Sequence, residues 1–126
     1  MSLRVAIAGF GKVGQRRFHF LKKKKFFKII AISDQYHKYR EIFKSGNIYN
    51  DYKIMLKNEK IDVLFICLPN KDSARATTIA LKKGCHVFCE KPPARNFQEL
   101  LKVKKIFKTT KNQVLRYGFN HRYHDS

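Results

Sequence analysis

The sequence predicts an α/β fold, a doubly wound parallel sheet with helices on both faces in three α/β/α layers. Three observations predict it. Short apolar, β-rich runs alternate with helix-compatible stretches along the whole chain. The first run, Val5 to Ala8, breaks into glycines at Gly9, Gly11 and Gly14 just before a helical pattern. An acidic residue, Asp34, closes the second apolar run 20 positions after Gly14 (34 − 14 = 20).

Leu3 to Ala8 reads as a strand buried on both faces, as central parallel strands are. A strand running into G-x-G-x-x-G and then a helix is the dinucleotide fingerprint of the Rossmann fold. The chain must turn tightly, let a pyrophosphate approach bare backbone, and pack helix on strand. Lys12 to Lys22 supplies that helix, with Val13, Phe18 and Leu21 at helical spacing, and Phe27 to Ser33 forms the next strand. A carboxylate at Asp34 accepts hydrogen bonds from the adenosine ribose hydroxyls and repels a 2′-phosphate, which favours NAD over NADP. Gln35 follows it, with no arginine immediately after to welcome a phosphate, although His37, Lys38 and Arg40 are near. An aspartate here also suits a simple turn that caps the following element.

Tyr36 to Lys44 is expected to be a short helix ended by Ser45 and Gly46, and Ile48 and Tyr49 a minimal strand. Asp51 caps a helix through Lys57, with Ile54, Met55 and Leu56 facing inward. Ile61 to Leu68 is a buried strand that Pro69 and Asn70 terminate, because proline cannot continue the ladder. Asp72 or Ser73 begins a helix through Lys83, packed by Ala76, Ile79, Ala80 and Leu81 and closed by Gly84. His86 to Cys89 makes a further strand, from which Glu90, Lys91 and a proline pair emerge. Asn96 caps the last helix, Phe97 to Thr110, whose Leu100, Leu101, Val103, Ile106 and Phe107 form an apolar stripe. Gln113 to Phe119 is the final strand. Strand ends at Gly9, Asp34, Pro69 and Glu90 then meet at the carboxyl edge of the sheet, where open α/β sheets bind ligands.

Length and composition bound the function. The chain has 126 residues, enough for one domain with its own core, and a net charge of +19. Lysine is spread over every helical stretch, and its densest run, Lys22 to Lys25, falls where the first helix ends and cations suit the helix dipole. That pattern fits solvated faces and attraction to a phosphorylated small molecule better than a nucleic-acid partner, for which no recognition motif is present. No apolar run approaches the roughly 18 residues of a membrane span, and no signal peptide precedes the glycine turn, so a cytoplasmic location is expected. Cys67, Cys85 and Cys89 are an odd set that argues against a disulfide framework. Cys85, His86 and Cys89 could be imagined as ligands, but His86 to Cys89 reads as a buried strand with alternating faces and no second ligand pair follows, so no metal site is expected.

GFGKVG at 9–14, Asp34, CLPN at 67–70, ALKKGCHVFCEKP at 80–92 and YGFNHRYHDS at the end together resemble the N-terminal half of the glucose-fructose oxidoreductase and inositol dehydrogenase (Gfo/Idh/MocA) family. The resemblance covers the whole chain in register, and its EKP element is the most specific part. It implies an NAD(P)-dependent oxidoreductase acting on a sugar, sugar nucleotide or polyol by hydride transfer. Residues 1–119 would form the cofactor domain, and 120–126 would begin the link to a substrate domain through which the full protein assembles as a homo-oligomer. Carried over, Gly9, Phe10, Gly11, Lys12, Val13 and Gly14 cradle the pyrophosphate, while Asp34 and Gln35 lie at the adenosine ribose. Leu68, Pro69 and Asn70 line the nicotinamide half, with Glu90 on its ribose side and Asn120 beside the cofactor.

Lys91 is the implied catalytic residue. An ammonium near the reacting carbon hydrogen-bonds the alcohol oxygen, lowers its pKa and assists proton loss as hydride leaves. The family often carries a histidine where this chain has Ser73, so that position is given no role. The second catalytic group would belong to the substrate domain, and His121 and His124 read as linker residues. A non-catalytic NAD-binding sensor on the same fold is the alternative, which the retained Lys91 disfavours.

Overall fold

The computed structural model describes residues 2–36 and 40–118. Among the described residues six parallel strands lie in the order β3-β2-β1-β4-β5-β6: β1 Leu3–Ala8, β2 Phe27–Ser33, β3 Asn47–Tyr49, β4 Val63–Ile66, β5 His86–Glu90 and β6 Leu115–Gly118. Strand order reverses between β1 and β4, so the helices entering after those two strands leave on opposite faces and open a crevice between them.

One face carries α1 (Lys12–Leu21), whose Phe18 and Leu21 pack with Val5, Ile7, Ile29 and Ile32. The other carries α2 (Tyr52–Asn58), α3 (Asn70–Lys82) and α4 (Phe97–Lys108), joined through Met55, Leu56, Ala76, Ala80, Leu81 and Val103. Alanines at positions 6, 8 and 31 line that second face and let the helices sit close to the sheet. A register shift between Val5 and Ala6 leaves Ile30 as an extra residue in β2, which is why Ile29 and Ile32 can both face α1.

Several sequence expectations are corrected by packing. The helix expected over Tyr36 to Lys44 does not form at its described residues, where the chain makes turns instead. Asp34 accepts the Tyr36 N–H through Oδ1 at 3.0 Å, Arg40 Nη1 donates to the Gly46 carbonyl at 2.9 Å, and Phe43 is driven fully into the core. The Phe43 ring meets Phe18 edge-on at 5.8 Å and joins the core cluster of that face. Gly46 therefore caps no helix; its Cα lies against the Ile30 carbonyl, where a side chain has no room. α3 starts at Asn70, earlier than expected, with Pro69 as its N-cap. β4 is shorter than the apolar run that encodes it. Ile54 and Leu101, both assigned inward, are 46% and 40% exposed, so the buried stripes of α2 and α4 are narrower than their apolar patterns.

The caps at Asp51 and Asn96 form as the sequence predicts, their side chains accepting from the N–H of Lys53 at 2.8 Å and of Glu99 at 3.0 Å. Gly84 closes α3 with φ +91°, a left-handed conformation that favours glycine. Among the described residues no helix is long and apolar enough to cross a membrane.

Candidate functional site

The carboxyl edge of the sheet holds two cavities that share a wall. The larger, about 770 Å³, is lined by Gly9, Gly11, Asp34, Gln35, Tyr52 and Pro69 among others. The smaller, about 260 Å³, is lined by Val13, Arg16, Arg17, Glu90 and Lys91. Cys67 and Leu68, at the end of β4, belong to both. The order reversal of the sheet thus sets the two cavities side by side as a trough, with Gly9 and Gly11 in the wall of the larger one.

Each glycine meets different surroundings. Gly9 adopts φ +91° and presses on the Cys67 carbonyl, so it makes the tight turn. Gly14 sits against the carbonyl of Gly9, leaving no space for a Cβ between α1 and the turn. A Cβ on Gly11 would meet nothing within 4 Å. Bare backbone therefore faces open space at the N-cap of α1, where no side chain caps the helix and no acid occupies its first turn. Uncapped N–H groups at the positive end of a helix dipole are suited to a phosphate, so the residues present fit a dinucleotide pyrophosphate.

Asp34 stands at the β2 end of the larger cavity. Its Oδ2 accepts the Phe10 N–H at 3.0 Å, tying the acid to the glycine turn. Phe10 contributes through that backbone contact; its ring is fully buried and packs edge-on with Phe18 at 5.5 Å. Lys12 is exposed at the start of α1, and Val13, 39% exposed, turns toward the smaller cavity instead of the core. Gln35 lines the larger cavity next to Asp34.

At the other end, Pro69 and Asn70 are exposed at the head of α3, and Leu68 is half-buried beneath them. The Ser73 hydroxyl is buried and donates to the Leu68 and Pro69 carbonyls at 3.3 and 3.2 Å, stabilising that turn. Glu90 is buried at the end of β5, and Lys91 follows it, exposed on the wall of the smaller cavity and joined to Pro92 by a cis peptide bond. Asn120, and with it His121 and His124, lies outside the described residues.

Arg17 and Tyr52 carry no motif in the sequence, and Cys67 figures there only in the cysteine count and the CLPN match. Arg17 on α1 forms an ion pair with Glu90, 73 residues away. Tyr52 lines the larger cavity with a buried hydroxyl that has no hydrogen-bond partner among the described residues, and its pKa is raised chiefly by burial. Cys67 is part of the shared wall, and burial, reinforced by the Glu90 carboxylate, pushes its thiol up to about 12. No sequence signal marks Arg17 or Tyr52, because Arg17 takes its partners from β5 and the charges acting on the Tyr52 hydroxyl include Asp72 and Arg75 of α3.

Among the described residues no group of three or more His, Cys, Asp or Glu side chains could hold a metal ion. The three residues weighed as ligands are turned to separate partners: Cys85 to the Ile61 carbonyl, His86 Nδ1 to the Val114 N–H, and Cys89 to its neighbour's carbonyl.

Residues 3–119 match the family described as "Oxidoreductase family, NAD-binding Rossmann fold". The chain is 32% identical over 128 residues to D-glucoside 3-dehydrogenase of Escherichia coli (strain K12), covering 96% of this chain and 36% of that protein. Its fold superposes on the crystal structure of myo-inositol 2-dehydrogenase from Lactobacillus plantarum with a TM-score of 0.91 at 33% identity, over 100% of this chain and 39% of that one. Scyllo-inositol dehydrogenase from Lactobacillus casei, solved with bound NAD(H) and scyllo-inositol, has the same fold at a TM-score of 0.91 and 22% identity, over 99% of this chain and 38% of that one. The chain thus spans a little over a third of the length of these proteins.

Proposed function

This chain belongs to the Gfo/Idh/MocA oxidoreductase family as an NAD-binding Rossmann domain, and from that premise we propose that it is the cofactor-holding part of a longer dehydrogenase. The substrate is a sugar, sugar nucleotide or polyol oxidised at a hydroxyl. The observation that carries this reading is the pair of adjoining cavities, with the open glycine turn and Asp34 lining the larger and Lys91 the smaller.

In this reading the adenosine ribose lies against Asp34 and Gln35, and the pyrophosphate lies over Gly11 and the first N–H groups of α1, near Lys12. Leu68, Pro69 and Asn70 support the nicotinamide half at the head of α3. The bound dinucleotide supplies a hydride acceptor. Lys91, on the wall of the smaller cavity, hydrogen-bonds the substrate oxygen and favours its deprotonation. Relatives named for glucoside and inositol oxidation support a polyhydroxylated substrate. Residues 1–119 form the cofactor unit, and 120–126 lead toward a substrate domain that supplies the second catalytic group and the contacts of a cytoplasmic homo-oligomer.

Asp34 implies NAD over NADP, because a carboxylate within reach of the ribose repels a 2′-phosphate. Calorimetric titration of the chain with each cofactor tests this. NAD should bind at least tenfold more tightly, and Asp34→Ala should lose roughly tenfold or more of that affinity, the scale of a charge-assisted hydrogen bond. Equal affinities for NAD and NADP in the wild-type chain would overturn the assignment of Asp34.

A further inference from the structure

We propose that Arg17 is the positioning residue of the nicotinamide end of the trough: its pairing with Glu90 ties the helix that begins at the glycine turn to the strand end that carries Lys91. This rests on the reading that NAD spans the two cavities.

Arg17 leaves α1 one turn after Val13, on the helix side that lines the smaller cavity. Its Nε and Nη2 both reach Glu90 Oε1. The guanidinium carbon stands 5.0 Å from the centroid of the Phe88 ring, and Phe88 packs in turn on Phe65 at 5.1 Å. The guanidinium is thus held over an aromatic face of β5, a site where arginine and lysine are not interchangeable. Glu90 is confined on its other side: a Cβ on Gly118 of β6 would come within 2.7 Å of Oε2. Three elements, α1, β5 and β6, therefore fix one carboxylate.

Burial makes the pairing consequential. The Arg17 and Glu90 side chains are only 26% and 10% exposed, so removing either leaves a charge poorly solvated and without its partner. The apolar face of α1 packs with residues of β1 and β2 through Phe18 and Leu21, whereas Arg17 reaches across to β5. Glu90 has both oxygens turned to protein, one to Arg17 and one to Gly118. Its part is then to hold the backbone from which Lys91 projects. The sheet pairs β1 to β4 and β4 to β5, and the Arg17–Glu90 contact adds a direct side-chain tie between α1 and the β5 end that carries Lys91.

NADH and ADP-ribose separate positioning from general support, because ADP-ribose keeps the adenosine and pyrophosphate and lacks the nicotinamide. Both are titrated into the wild-type chain and into Arg17→Met, Arg17→Lys and Glu90→Gln. Arg17→Met should weaken NADH about tenfold, the scale of losing one buried charged contact, while ADP-ribose affinity changes less than about twofold. Emission of bound NADH should move toward that of free NADH, and Arg17→Lys should recover part of the loss. A parallel fall in both affinities overturns the proposal, since it would mean that Arg17 merely supports α1. Unchanged NADH affinity overturns it as well. A wild-type chain that bound neither ligand would refute the cofactor reading instead; amide exchange at residues 89–91 then decides, and rates unaltered by Glu90→Gln overturn the pairing's role.

Discussion

The two ends of the trough are built by different means. At the Asp34 end the glycine turn and its acid are a local pair: β1, the turn, α1 and β2 follow one another in the chain, and Asp34 locks onto the turn through the Phe10 N–H, while α2 and the head of α3 complete the cavity wall. The Lys91 end has no such local pair, with Arg17 from the first helix, Glu90 and Lys91 from the fifth strand and its end, and Gly118 from the sixth. An end built by long-range packing depends on the sheet being complete through β6.

The strongest test concerns the wall that both ends share. Cys67 is half-buried, and its thiol is pushed up to about 12, first by burial and then by the Glu90 carboxylate. The raised value keeps it a thiol, not a thiolate, throughout the neutral range, so alkylation by iodoacetamide at pH 8 should run roughly a thousandfold slower than for a free cysteine. Mass spectrometry of timed samples measures this. Labelling as fast in the folded chain as in urea would show that the seam between the cavities is open.

Gly14→Ala should break both ends at once. The added methyl has to displace the Gly9 carbonyl, which is backbone and cannot turn aside. A loss of roughly 3 kcal/mol in urea unfolding is expected, the upper range for overpacking, together with loss of both NADH and ADP-ribose binding. Alanine ordinarily favours a helix over glycine, so a stabilised variant would remove the close-packing account of α1.

Gly118→Ala is the gentler change, directed at one end only. Its methyl meets the Glu90 carboxylate at 2.7 Å and the Phe88 ring at 3.2 Å, side-chain atoms with some freedom to yield. About 1 kcal/mol of destabilisation follows, and calorimetry should find NADH weakened several-fold with ADP-ribose untouched. If ADP-ribose weakened equally, the two ends would not be separable and the comparison would fail.

The same division describes what could be read in advance. The glycine turn and Asp34 were legible because their chemistry depends on spacing along the chain, and the structure brings them to one cavity. Lys91 could be placed at a strand end because a proline pair follows it, yet the partner of its neighbour Glu90 could not be read, since nothing in the sequence links residues 17 and 90. The segment 36–44 misled for a related reason. Helical spacing was present, but periodicity does not register that Phe43 would be drawn beneath the sheet or that Gly46 would press on Ile30. The inward assignments of Ile54 and Leu101 failed likewise, because an apolar pattern gives the helix face and the neighbouring helix decides how much of it is covered.

By itself the sequence determined the alternation of strands and helices, the parallel sheet, and the glycine turn with its acidic companion. These follow from short-range sterics, hydrophobic periodicity and fixed spacing along the backbone. Only the tertiary structure decided that Phe43 enters the core against Phe18, that Cys67 lines two cavities, and that Arg17 reaches Glu90. Burial, close packing and charge pairing act between residues that meet only when the sheet closes.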